Sequence, residues 1–412
     1  MSGLGFGLGR PCWQGGRYEV SLATYPMRIL MMADTPPNPD SGAAGTEYQT
    51  MLALRRMGHE VDAVWADELR HRIRHGNLHY FVELPFAYRQ RMLDRLEVHA
   101  YDVVHVNQPH GYLAARSIAG KKASPVFVHR SHGFEPRVSE VLRPWQMRYS
   151  DKRPLLRHVA NKAMGMALEI NNREIARYAD GHIVSANLCG DFLHHRYRVP
   201  REQIAVIPQA PPKPFHDTAV LPIDENRISR ILYVGQFAFV KGPMILAAAF
   251  EQVFAKHPDV TLTWVCDARH HAEAASLLSS HARSRVTFMD WVPQDKLIKV
   301  YDEHGVFLFP SFFEGFGKAF LEAMARGLVV VASEEGGAKD LIEHGRNGLL
   351  VPVGDATTMA NACASVLSSL TAAQELGVSA RQTALLYTWD RVAEETVGFY
   401  RRLIERKKLR SR

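Results

Sequence analysis

Apolar residues along this chain gather in short uninterrupted runs instead of alternating with polar ones. Arg28 to Ala33, Val61 to Trp65, Val103 to Val106, Val126 to His129, His182 to Ser185 and Ile204 to Ile207 all have this character. Runs of that length predict strands buried on both faces, as in a mostly parallel sheet covered by helices. Between the first two lie the loop Ser41-Gly42-Ala43-Ala44-Gly45 and a helical stretch from Thr46 to Met57, which completes a βαβ unit. The period breaks at Gln209-Ala210-Pro211-Pro212-Lys213-Pro214, and residues 210–228 are expected to be a linker. A second series follows: a strand over Arg230 to Gly235, a helix near Met244 to His257, then strands at Thr261 to Val265, Val286 to Met289, Val306 to Phe309, Leu328 to Ala332 and Leu349 to Val351. The pattern therefore predicts two α/β domains, residues 27–209 and 229–389, facing each other across a cleft. Ligands belong at the C-terminal strand ends, where the glycine-bearing turns lie. A last helix, about residues 390–407, carries Val392, Val397, Tyr400 and Leu403 and is expected to pack back across the junction. Residues 1–26 show no period and lack the long apolar stretch of a signal peptide, so a disordered extension is expected there.

The composition of the 412 residues, 46% hydrophobic and 23% charged, is that of a globular protein, and no apolar run reaches membrane-spanning length. Cys12, Cys189, Cys266 and Cys363 are scattered without a CxxC pair, which argues against a disulfide framework or structural zinc and fits a reducing cytoplasm. Charge changes the picture more. The net value is +7, and the excess lies in the first half of the chain. Residues 137–162 concentrate it: Arg137, Arg143, Arg148, Lys152, Arg153, Arg157 and Lys162 alternate with Leu142, Trp145, Leu155 and other apolar residues. That mixture suits peripheral contact with an anionic membrane or an anionic acceptor. It equally suits a solvated helix pair. No nucleic-acid partner is expected.

The densest candidate chemistry is the run from Pro310 to Glu322. A strand leads into a loop bearing Glu314, Gly315 and Gly317, and the following helix carries Glu322. Amide donors and the positive end of a helix dipole suit phosphate, while carboxylates accept hydrogen bonds from sugar hydroxyls. A nucleotide diphosphate sugar needs both. Two solvated glutamates on an ordinary strand-to-helix turn are the plainer alternative. The sequence contains no Asp-x-Asp, Walker loop or Gly-x-Ser-x-Gly, so no metal site is expected.

In order, the chain carries Gly42 to Gly45, Ser131-His132-Gly133, Val206-Ile207-Pro208-Gln209, Val234-Gly235 with Lys241-Gly242, Glu314-Gly315-Phe316-Gly317 to Glu322, Gly336-Gly337, and Gly348-Leu349-Leu350-Val351 to Asp355. That order and spacing, over about residues 27–400, resembles family 4 (group 1) glycosyltransferases. The resemblance implies the GT-B fold, two Rossmann-like doubly wound domains across a cleft. It also implies a retaining reaction that takes sugar from a nucleotide diphosphate donor, with no metal or other cofactor, and a glycan or lipid-linked acceptor. It assigns Glu314 to donor-sugar hydroxyls, Glu322 to the ribose, Lys241 to the diphosphate and His132 to the sugar or its cationic transition state. Gly42, Gly45, Gly235, Gln236 and the amides of Phe316, Gly317 and Lys318 would complete the nucleotide-sugar site. His129 and His105 are read as structural. Three departures stand out. Gln236 replaces the family's second diphosphate cation, arginine; Gln209 replaces an asparagine; and Cys266-Asp267-Ala268 replaces a Gly-Asp-Gly turn. A sugar-phosphorylase, a nucleotide-sugar epimerase of the same fold, or a degenerate nucleotide-sugar-binding subunit are the competing readings.

Overall fold

A computed structural model describes residues 25–39, 42–74, 76–133, 135–149 and 155–411. The expected N-terminal extension falls almost wholly outside these residues, as do Lys152 and Arg153 of the basic segment.

The strands form two six-stranded parallel sheets. The first comprises β1 (Arg28–Met32), β2 (Glu60–Val64), β3 (Val103–Asn107), β4 (Val126–Arg130), β5 (Gly181–Val184) and β6 (Ile204–Val206), in the order β2-β1-β3-β4-β5-β6. The second comprises β7 (Arg230–Val234), β8 (Thr261–Val265), β9 (Val286–Met289), β10 (Val306–Phe309), β11 (Val329–Ser333) and β12 (Leu349–Val351), in the order β12-β11-β10-β7-β8-β9. Every residue of β3, β4, β10 and β11 is buried, because helices cover both faces of each sheet. Strand order reverses beside β1 in the first sheet and beside β7 in the second. These switch points open the crevices where such sheets take ligands.

The last helix, Trp389–Ser411, crosses back to the first domain. Val397, Tyr400 and Leu403 join its core with Met27, Ile29 and Val128. Lys407 Nζ reaches Asp180 at 3.0 Å, and Arg56 pairs with Asp390 at 2.7 Å. The first helix, Ala43–Arg56, begins three residues before its expected start and takes Gly45 into its first turn. A Cβ on Gly45 would sit 2.5 Å from the Pro39 carbonyl oxygen. Gly45 thus lets chain pass chain, and it lies in a helical turn where a loop was expected.

The basic segment also differs from expectation. Its helix Glu135–Arg148 lays Val138, Leu142 and Trp145 against the core of the second domain, with the Trp145 ring stacked on Phe312 at 4.9 Å between centroids. Arg137 Nη2 donates to Glu335 Oε2 at 2.9 Å across the same junction. Val138, Leu142 and Trp145 therefore bind one domain to the other. Arg143, Met147 and Arg148 remain exposed.

Candidate functional site

β7 and β10 pair only at Ile231 and Leu232, opposite Val306 and Phe307. Beyond that register the strands splay, and a cavity of about 730 Å³ opens between the domains. Gly42, His132 and Gln209 line it from the first domain; Gly235, Gln236, Lys241, Glu314, Phe316, Gly317, Lys318 and Glu322 line it from the second. Of the residues expected in the site, Gly45 alone stays out of the lining.

Glu314 is 5% exposed and already engaged: Ser311 Oγ donates to its Oε1 at 2.8 Å, and Lys241 Nζ lies 2.7 Å from the same oxygen. The loop then turns through Gly317, whose φ of 92° is left-handed. A Cβ there would also lie 2.6 Å from the Phe309 ring, so both the conformation and the space demand glycine. Gly317 is the N-cap of the helix Lys318–Ala325, and no side chain caps it. The positive end of that helix faces the cavity. Glu322 follows on the helix, its Oε2 accepting from Tyr301 Oη at 3.1 Å. Burial raises the Glu322 carboxyl pKa above its ordinary value, opposed by the Lys318 charge and the Tyr301 hydrogen bond.

On the other wall, His132 Nε2 lies 2.7 Å from Glu47 Oε1, and its Nδ1 is 3.5 Å from Gln209 Nε2. Glu47 is 2% exposed, with His105 Nε2 at 3.5 Å and Arg130 Nε at 3.8 Å. Burial works against its charge, yet His105, His132 and Arg130 together hold the carboxyl down at about 2. His132 is shifted down, by burial first and by Arg130 and Lys318 after it, against the pull of Glu47. At neutral pH the pair is a carboxylate facing a neutral imidazole. The domains meet at this point: a Cβ on Gly315 would fall 1.7 Å from the His132 carbonyl oxygen, so only glycine allows the approach.

Glu47 escapes a reading based on motifs, although the sequence holds a signal. On the first helix it shares the core-facing stripe with Thr50, Met51 and Leu54, a place where a carboxylate needs buried partners. The switch point of the first sheet is a second such region. Gln108, just past β3, has φ 68°, a left-handed value uncommon outside glycine. Beside it, Asn107 Oδ1 accepts from Tyr88 Oη at 3.1 Å and from the Asp34 amide at 3.4 Å. Burial pushes the Asp34 carboxyl up to about 6.

Among the described residues no helix is long and apolar enough to cross a membrane, and no group of three His, Cys, Asp or Glu side chains could hold a metal ion. Residues 41–210 match the model of glycosyltransferase family 4, and residues 228–369 match that of glycosyl transferases group 1. The alpha-maltose-1-phosphate synthase of Mycolicibacterium smegmatis is 28% identical over 415 residues, covering 92% of this chain and 100% of that protein. Several other curated relatives are matched over less than half of their length, 48% for a spore coat protein of Bacillus subtilis. Among solved structures, sucrose-phosphate synthase from Thermosynechococcus elongatus superposes with a TM-score of 0.72 at 22% identity, covering 92% of this chain and 100% of that one. Anabaena HepE, in complex with UDP and glucose, gives 0.64 at 17% identity over 90% of this chain and 98% of that one. These structures share the fold of two Rossmann-like domains across a cleft. With one matching model on each domain and a relative aligned along nearly the whole chain, the protein belongs to the group 1, family 4 glycosyltransferases.

Proposed function

We propose that the protein is a retaining, metal-independent glycosyltransferase that moves a sugar from a nucleotide diphosphate donor to a glycan or lipid-linked acceptor, in surface polysaccharide or glycolipid synthesis. The observation that carries this reading is the Ser311–Glu314–Lys241 cluster set at the open N-terminus of the Lys318–Ala325 helix. It sets a carboxylate beside a cation and a helix dipole, which suits the hydroxyls of a donor sugar and its diphosphate. On donor entry the diphosphate takes over Lys241, and donor-sugar hydroxyls take over Glu314. Glu322 accepts from the ribose. Lys318, which lies close enough to Glu322 and His132 to shift both, supplies positive charge where Gln236 supplies none. Two lysines and a helix end offset the phosphate charge, so the reading needs no metal or cofactor.

For the reaction, the bond from the anomeric carbon to the phosphate oxygen breaks while the acceptor oxygen bonds to the same carbon from the same face. The departing phosphate oxygen takes the acceptor proton. Glu314, held by Ser311 and Lys241, is committed to hydroxyls and is not assigned as a nucleophile. The acceptor enters over the first sheet's switch point, near Asp34, Asn107 and the strained Gln108. Exposed Arg143 and Arg148 are the described part of a basic face for an anionic membrane.

The test is thermal denaturation with UDP, GDP and ADP, each alone and as common sugar conjugates, with excess EDTA present. One nucleotide should raise Tm at saturating concentration, since ligand bound only to the native state stabilises it. Transfer from the matching donor should then proceed in EDTA. Binding to none of the three would overturn the donor assignment, and activity lost in EDTA but restored by magnesium would overturn the metal-free mechanism. The degenerate-subunit reading, which Gln236 favours, predicts donor binding without turnover.

A further inference from the structure

We infer that Glu47 is a positioning residue that fixes the tautomer of His132, so that His132 presents a hydrogen-bond acceptor to a donor-sugar hydroxyl. The inference rests on the proposed placement of the donor sugar beside His132.

The cluster beneath the cleft draws on several elements. Glu47 and Thr50 come from the first helix, His105 from β3, and His129 and Arg130 from β4. His132 and Gln209 follow strand ends, and Tyr400 arrives on the returning helix. Lys318 faces His132 from across the cleft. Of the three groups around the Glu47 carboxylate, His132 makes the shortest contact and is the one that lines the cavity. An ionised carboxylate only accepts, so the proton between Glu47 Oε1 and His132 Nε2 belongs to Nε2. In a neutral imidazole the other nitrogen then carries a lone pair and no hydrogen. Nδ1 is that nitrogen; it is met by the Gln209 Nε2 amide at 3.5 Å, a long donor contact that a sugar hydroxyl would displace.

His105 lies one layer deeper, with Nε2 3.5 Å from Glu47 Oε2 but not hydrogen-bonded to it, and its Nδ1 pairs with the Tyr400 hydroxyl, which burial keeps protonated. Among these histidines only His132 is hydrogen-bonded to Glu47. A purely structural carboxylate would have no reason to govern what His132 offers to a ligand.

The experiment is a long-range 15N–1H spectrum of histidine-labelled protein at neutral pH, with His132 assigned through His132→Asn. The ring of His132 should be neutral and protonated on Nε2, and Glu47→Gln should shift it toward the other tautomer. A wild-type ring that is charged, or protonated on Nδ1, overturns the proposal even if Glu47→Gln does not fold. This readout needs no donor, so it stands apart from any failure of the functional reading. Where Glu47→Gln folds, a cycle with His132→Ala adds a kinetic test using the donor found by thermal shift. Glu47→Gln alone should lower kcat on the order of 10- to 100-fold, the scale of a misplaced group, with a much smaller change in donor KM. It should have little further effect once His132 is alanine. Equal losses in both backgrounds would make Glu47 a general structural anchor and overturn the assignment.

Discussion

Glu314 and Glu322 occupy one cleft in different electrostatic settings, and their replacements should separate. Glu314 is engaged at Oε1 by Lys241 and Ser311, and it is assigned to the sugar. Glu314→Gln should abolish transfer while calorimetry still detects nucleotide binding. Glu322→Ala should weaken nucleotide affinity by roughly 1.5–3 kcal/mol, the range for a hydrogen bond to a charged group. Unchanged affinity there would remove Glu322 from the ribose. Lys318→Ala tests whether a second cation stands in for Gln236: the loss should exceed that at the remote Lys256, and Gln236→Arg should recover part of it in a steady-state assay. Glu47 gives a pH signature. Its carboxyl is held at about 2 in the folded state, against about 4.5 when free. The stability it contributes is therefore complete above the ordinary glutamate value and disappears as pH falls toward 2. The Tm difference between wild type and Glu47→Gln should be largest near neutrality and shrink between about pH 4.5 and 2. Most of these residues were legible from motif order, as Glu314, Glu322, Lys241 and His132 all line the cavity. Glu47 was not, because its meaning lies in partners 58 to 85 positions away that only the sheet brings to it.

At the scale of elements, apolar runs located the strands well because a strand buried on both faces leaves little else in its sequence. Helix ends and orientation were harder. The first helix starts at Ala43 on a stretch that reads as a flexible loop, and that misplaced Gly45. The Glu135–Arg148 helix shows why amphipathic composition alone does not name a partner: Leu142 and Trp145 suit a membrane interface or a neighbouring domain equally, and they pack on the neighbouring domain. Arg137→Ala would strand the Glu335 carboxylate in that junction. A loss of about 3–5 kcal/mol is expected, as for one partner removed from a buried pair, measured by denaturant unfolding of the second domain. Removing Glu335 together with Arg137 should cost less than Arg137 alone.

For the molecule as a whole, the twin switch points explain why the site lies between domains. Each sheet parts where its strand order reverses, and the two openings make one cavity lined from both sides. That arrangement was legible in the sequence as two βαβ series. The facing of the domains and the return of the last helix were expected as well; the stacking of Trp145 on Phe312 that helps hold them together was not, because it depends on long-range packing. With Leu142 and Trp145 committed to the second domain, membrane contact would rely on charge more than on insertion. Co-sedimentation with anionic vesicles should be strong at low salt and vanish at high salt, and changing Arg148, Lys152 and Arg153 to glutamate should remove it. Equal binding to neutral vesicles, or none at low salt, would return the segment to a solvated face.

The contact between Gly315 and the His132 carbonyl carries one more consequence. With the backbones touching there, a single methyl group at position 315 would act as a wedge between the two domains. Gly315→Ala should leave both domains folded, prop the jaws ajar, and increase the radius of gyration in solution scattering. On the proposed function it would keep nucleotide binding to the second domain while carrying His132 away from the donor sugar, which turns one glycine into a handle for uncoupling the two walls of the site.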